Sequence, residues 1–94
     1  MNLTEFLHEL GETRNGWTVI GSIRKEKPRG DSYCPITAVC MKVKGMSYSM
    51  MMYPKAAEKL GLRTTTAHRI ANAADYASYD PRLRARLLKA VGLK

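Results

Sequence analysis

Apolar side chains recur at helical spacing near the start of the chain, at positions i, i+3, i+4 and i+7 of residues 3–10. Asn2 precedes this stripe and Glu5 follows three residues later, which is the arrangement of a capping box. Gly11 suits the position just beyond a helix because glycine adopts the left-handed conformation found there. The pattern therefore predicts a first helix over residues 3–10 that stops at Gly11.

The pattern changes to that of a strand after an Asn-Gly turn signal at residues 15–16. Residues 17–23 are rich in β-branched side chains and predict a strand, whereas residues 25–32 are polar and predict an exposed loop. In residues 46–52 methionine and tyrosine alternate with serine, a pattern that leaves strand and helix both open. We expect a small antiparallel sheet near residues 17–24, joined by residues 46–52 if they form a strand.

Proline and glycine mark the ends of further helices. Pro35 and Pro81 suit first helical positions, where a missing N–H costs nothing, and Gly45, Gly61 and Gly92 suit positions just past a helix. Between these signals the apolar spacing predicts helices over residues 35–44, 54–60, 65–74 and 81–91. The expected fold class is α+β: one mostly helical domain, residues 1–94, with a small antiparallel sheet and a C-terminal helical half.

The chain is strongly basic, with 16 Lys and Arg against eight Asp and Glu and a net charge of +8. Such an excess draws a protein toward polyanions such as nucleic acid, an acidic protein or an anionic membrane surface. The charge is uneven, because the first 12 residues contain acids but no Lys or Arg, while residues 24–29 and the chain from residue 82 onward are basic. We expect an anionic partner to contact these two basic stretches.

Targeting signals and membrane spans are not apparent in the sequence. Met1 is not followed by a basic and then apolar run, and no segment approaches the length of a transmembrane helix. The two cysteines fit reduced thiols in a cytosol-like compartment. The expectation is a cytoplasmic protein without membrane contact, and the sequence leaves its oligomeric state open.

Residues 53–72, YPKAAEKLGLRTTTAHRIAN, combine a small residue with a glycine four positions later. Ala57 would allow two helices to cross closely, and Gly61 would supply the left-handed turn between them. The apolar positions that flank the glycine and recur on the second helix are Leu60, Leu62, Ala67 and Ile70. This segment resembles the helix-turn-helix of DNA-binding regulators. Two core helices joined by a glycine turn would give the same pattern.

The resemblance implies that the second helix of the pair lies in the major groove of DNA. Arginine pairs there with guanine, asparagine with adenine, and threonine contacts phosphate or the thymine methyl group. The expected contact residues are Arg63, Thr65, Thr66, His68, Arg69 and Asn72 on this helix, Arg24, Lys25, Lys27 and Arg29 on the central loop, and Arg82 and Arg86 on the last helix. Nucleic-acid binding is the function that this set of residues favours.

A protein-binding module is the alternative, with an acidic protein or a nucleoprotein complex as the partner. In size and charge the chain is similar to the small basic inhibitors that phages make against host machinery, anti-CRISPR proteins among them. That similarity is one of type, because no motif in the sequence carries it.

A thiol enzyme is a third hypothesis, based on Cys34 at the start of the predicted second helix. The helix dipole at that position is expected to lower the pKa of a thiol. Residues 30–35 are faintly similar to the start of the nucleophile helix in papain-like peptidases. The only candidate bases are His8 and His68, and no oxyanion hole is identifiable, so no enzymatic activity is expected. Cys34 and Cys40 lack the paired spacing of zinc ligands, and neither a metal nor another cofactor is expected.

Overall fold

Five helices form most of the described part of the protein. The computed structural model describes residues 1–13, 19–20, 23–24, 34–45, 53–76 and 78–92. Its helices are α1 (Leu3–Glu12), α2 (Pro35–Lys44), α3 (Tyr53–Leu60), α4 (Thr64–Asp75) and α5 (Pro81–Ala90). No helix in these parts of the chain is long and apolar enough to cross a membrane.

In the described residues the fold class is all-helical, and the prediction of an α+β domain is wrong. The strand pairing in the described residues joins β1 (Val19–Ile20) to β2 (Ile23–Arg24), antiparallel and only two residues long on each side. Strands this short cannot form a layer for helices to pack on. The β-branched residues favoured a strand locally, but the buried core of the described residues is supplied by helices and the residues directly beside them. Residues 46–52, the other expected strand, lie outside the described part.

The N-terminus of α1 has the predicted capping box. The side-chain oxygen of Asn2 accepts a hydrogen bond from the Glu5 amide at 2.8 Å, and the Glu5 carboxylate accepts one from the Asn2 amide at 3.0 Å. The predicted stop at Gly11 is wrong, since the helix continues to Glu12 and is capped by Thr13. The Thr13 hydroxyl donates to the Leu10 carbonyl at 2.7 Å, which gives this buried side chain a partner inside the helix end.

The core is shared by all five helices. Large side chains that are fully buried come from α1, α2, α4 and α5, and include Phe6, Ile36, Ile70 and Leu87. On α3 the buried residues are two alanines and Leu60. Small side chains on α3 let it lie close to its neighbours α2 and α4. The protein therefore places the polar side of α4 on the outside of a packed helical body.

Candidate nucleic-acid interface

A short connection of three residues, Gly61, Leu62 and Arg63, joins α3 to α4. Gly61 has φ of 72°, in the left-handed region that side chains other than glycine adopt only with strain. The Leu62 amide donates to the Ala57 carbonyl at 3.0 Å, and the Leu62 side chain is buried. The chain thus reverses within one tight, anchored turn.

The inward side of this helix pair is apolar and closely packed. Ala57 on α3 and Ala67 on α4 are buried, and Ile70, one turn further along α4, is completely inaccessible to solvent. DNA-binding helix pairs share this geometry with two core helices that meet at a glycine turn. The packed side is therefore compatible with both a DNA-binding helix pair and a purely structural one, and the side chains on the outward surface are what differ between the two.

The outward surface of α4 carries the residues that the sequence singled out. Arg63, Thr65, His68 and Arg69 are exposed, while Thr66 and Asn72 are half-buried. The first turn of α4 contains no acidic residue, and no side chain caps it. Cationic and hydrogen-bonding groups therefore occupy the side of α4 that faces solvent.

Two of these residues already have partners within the protein. Nδ1 of His68 lies 2.9 Å from the hydroxyl of Tyr53, and the two rings meet edge to face with their centroids 5.8 Å apart. Nη2 of Arg69 donates to Oδ2 of Asp80 at 3.3 Å. The sequence does not reveal either contact, because each joins residues on separate helices or at a helix end, and no local pattern indicates such a pairing.

Asp80 has two roles at the start of α5. Its Oδ1 accepts a hydrogen bond from the Leu83 amide at 3.1 Å and caps the helix. The pKa of its carboxyl group is lowered, first by that amide and then by Arg69, with a further contribution from the charge of Arg82. The carboxylate is therefore held in its charged form between two basic side chains of the proposed interface.

A groove of about 290 Å³ lies between α3 and α4, beside the Tyr53–His68 pair. Among the described residues its lining includes Glu58 and Thr64, and no Lys or Arg. A carboxylate without a neighbouring cation in the lining does not suit a phosphate group. The described lining of this groove therefore does not favour an anionic ligand.

The three arginines of α5 divide into an exposed pair and a buried one. Arg82 and Arg86 are exposed, as a surface contact requires. Arg84 is buried, and its Nη1 donates to the carbonyls of Ala73 and Ala74 at the end of α4, both at 2.9 Å. The sequence shows three arginines at alternate positions and does not reveal that the middle one is structural.

The central basic loop lies mostly outside the described residues. This holds for Lys25, Lys27 and Arg29, while Arg24 is described only through its backbone in β2. The expected contact residues on α4 and α5 all lie within the described part of the chain, and the charges of Arg69 and Arg82 both act on Asp80.

The expected lowering of the Cys34 pKa is wrong. Cys34 is the N-cap of α2, and the amides of Ile36 and Thr37 favour its thiolate form. Burial has the larger effect and raises the pKa, because a thiolate is poorly solvated there. Among the described residues no three His, Cys, Asp or Glu side chains are grouped so that they could hold a metal ion.

Comparisons of this chain with protein-family models, with curated proteins and with solved structures find no match.

Proposed function

We propose that the protein binds nucleic acid, with α4 lying in the major groove of duplex DNA and the exposed arginines of α5 beside it. The observation that carries this proposal is the outward surface of α4. From residue 63 to residue 72 it offers guanidinium, hydroxyl, imidazole and amide groups, and the segment contains no Asp or Glu. The exposed acid of α4, Asp75, lies at the C-terminal end of the helix, beyond this segment.

The side chains of α4 suit contacts with the phosphates of DNA and contacts with the edges of its bases. The guanidinium groups of Arg63 and Arg69 can pair with a phosphate, or with O6 and N7 of guanine. The hydroxyl of Thr65 can donate to a phosphate oxygen. Asn72 is half-buried and reaches solvent with only part of its surface, so it is assigned a supporting role at the edge of the contact.

The distribution of charge supports an approach of DNA from this side. Residues 53–92 contain eight Lys and Arg against three acids, whereas residues 1–13 contain three acids and no Lys or Arg. One of the eight, Arg84, is buried and does not contribute a surface contact. The net positive charge of residues 53–92 would attract a polyanion to the exposed basic side chains of α4 and α5.

An acidic protein, alone or within a nucleoprotein complex, is the second candidate partner. The supporting observation is the pair of exposed tyrosines in the α4–α5 connection, Tyr76 at 61% and Tyr79 at 50% of full exposure. Tyrosine and arginine together are enriched among the residues that dominate protein–protein binding energies. This candidate predicts tight binding to a protein and weak binding to free DNA.

Binding to a mixed-sequence DNA duplex, measured by fluorescence anisotropy over a salt series, tests the proposal. Contacts with phosphates predict an affinity that falls log-linearly with salt. Arg63→Ala/Arg69→Ala is expected to lower the affinity at least about tenfold, since each good arginine contact contributes about 1–3 kcal/mol. Lys44→Ala, an exposed charge on α2 outside the helix pair, is the control and should have a much smaller effect.

Two results would contradict the proposal. The first is no binding at low salt, which would favour a protein partner. The second is an equal loss of affinity for Lys44→Ala and Arg69→Ala, which would mean that net charge alone drives binding and α4 has no special part in it.

A further inference from the structure

One carboxylate, that of Asp80, lies against the proposed DNA-binding surface. Its Oδ2 accepts from Nη2 of Arg69 at 3.3 Å, and its Oδ1 is occupied by the Leu83 amide. The Arg69 side chain nevertheless remains 51% exposed, while that of Asp80 is 26% exposed. Arg69 is therefore accessible to a ligand but already holds an anionic oxygen.

We infer that Asp80 is a specificity-determining residue of the proposed interface. Its carboxylate competes within the protein for the Arg69 guanidinium, and a nucleic acid must displace this carboxylate in order to bind Arg69. This inference rests on the proposed function. A carboxylate oxygen and a phosphate oxygen are the same kind of acceptor for a guanidinium group. Arg69 cannot keep its contact with Asp80 and also offer Nη2 to DNA in the same direction.

The capping bond to Leu83 keeps the competitor in place. A carboxylate on a mobile side chain would move away from an approaching phosphate at little cost. The Oδ1 contact with the Leu83 amide fixes Asp80 at the first turn of α5, and α5 packs against α4. Asp80 therefore stays beside the surface when Arg69 leaves, and its charge then repels the phosphates nearby.

The Asp80 carboxylate weakens those nucleic-acid contacts of Arg69 that consist of a single hydrogen bond more than it weakens the others. A monodentate phosphate contact only replaces what Arg69 already has, whereas a bidentate contact with guanine adds a second hydrogen bond. Asp80 thereby lowers binding to arbitrary sequences more than binding to a site that presents guanine to Arg69. An exposed ion pair of this kind changes an equilibrium by a factor of about two to five.

Asp80→Asn is the variant that tests the competition. Asparagine is as good an N-cap as aspartate, so the Leu83 contact and the start of α5 are retained while the charge is lost. Asp75→Asn is the matched control, because it removes one exposed acid at the end of α4 that has no hydrogen bond or ion pair in the described structure. Both are measured on the mixed-sequence duplex, alone and combined with Arg69→Gln.

Asp80→Asn is expected to tighten binding about two- to fivefold more than Asp75→Asn does, and this excess should vanish in the Arg69→Gln background. An equal gain in DNA affinity for the two variants, or a gain that persists in the Arg69→Gln background, would mean that Asp80 acts only through its charge and does not compete for Arg69. Weaker binding by Asp80→Asn would also overturn the inference, since Asp80 would then orient Arg69 and not compete for it.

The same measurements separate this inference from the proposed function. Binding by the wild type without an excess for Asp80→Asn rejects the competition and keeps the function. Binding by Asp80→Asn but not by the wild type supports the competition and removes DNA as a partner of the wild-type protein. If no variant binds at low salt, both are rejected.

Discussion

Replacing Arg84 by methionine is expected to destabilise the protein more than any other change of a single charge on α5. The Arg84 guanidinium is buried and donates through Nη1 to the carbonyls of Ala73 and Ala74, both at 2.9 Å. These are two of the last four carbonyls of α4, which have no partner within their own helix. The positive charge also lies at the negative end of the α4 dipole.

The magnitude follows from what methionine keeps and what it loses. Its unbranched side chain fills much of the space of the arginine stem, so a large cavity is not expected. Two hydrogen bonds from a charged donor are lost, each contributing about 1.5–3 kcal/mol, and two buried carbonyls are left without partners. Release from the cost of burying a guanidinium offsets part of this loss. The expected decrease in the free energy of unfolding is about 2–4 kcal/mol.

Urea and thermal denaturation followed by circular dichroism measure this decrease. For a domain of this size, about 2–4 kcal/mol corresponds to a fall in Tm of about 10–25 °C. Arg86→Met, an exposed arginine on the same helix, is the matched control and should stay within about 0.5 kcal/mol of the wild type. A loss below about 0.5 kcal/mol for Arg84→Met, or an equal loss for both variants, would refute the argument that this arginine caps α4.

Three further predictions concern other parts of the fold. Gly45 and Gly61 have φ of 65° and 72°, in the left-handed region. Replacing either by alanine should lower the free energy of unfolding by about 1–2 kcal/mol in urea titrations, because a Cβ is strained in this conformation. An unchanged urea midpoint for either variant would contradict the left-handed conformation. Glu9→Gln should be less stable than the wild type near neutral pH, because the Lys42 ammonium 2.6 Å away lowers the pKa of the Glu9 carboxyl group below its ordinary 4.5. The difference in urea midpoint should disappear as the pH falls through the lowered pKa, since both proteins are then neutral at this position, and a difference that is constant with pH would argue against the ion pair. In a variant whose other cysteine is replaced by serine, Cys34 should react with iodoacetamide at pH 8 more slowly than free cysteine does. The reason is that burial raises the pKa of its thiol above 9.0. Faster alkylation than that of free cysteine would support the thiol-enzyme hypothesis.

Local signals in the sequence located the ends of most helices. The capping box of Asn2 and Glu5, the first-turn proline Pro35 and the terminating Gly45 are all found where the sequence predicts them. Gly61 likewise ends α3 in the left-handed conformation. These signals work because each depends on hydrogen bonds and backbone angles within about one turn of the chain. Gly11 failed as a stop because a glycine can also continue a helix that a later residue caps.

Side-chain exposure on α4 was also predictable in part. Helical periodicity placed Ala67 and Ile70 inside and Arg63, Thr65 and Arg69 outside, because the period of a helix fixes which residues share a side. What those exposed residues contact was not predictable. His68 meets Tyr53 across 15 positions, and Arg69 meets Asp80 across 11.

The sequence by itself determined where capping residues and apolar spacing favour helices. It also determined the net charge of +8 and the separation of acidic and basic stretches along the chain. Tertiary structure decided that, among the described residues, the core is built by helices and the residues beside them, because a segment of high strand propensity forms a layer only if long partners pair with it. It also decided the roles of chemically identical side chains. Arg84 is a buried cap while Arg86 is exposed, and the Cys34 thiol has a raised pKa despite its place at a helix start. Burial and distant neighbours set these properties, and both depend on how the helices pack.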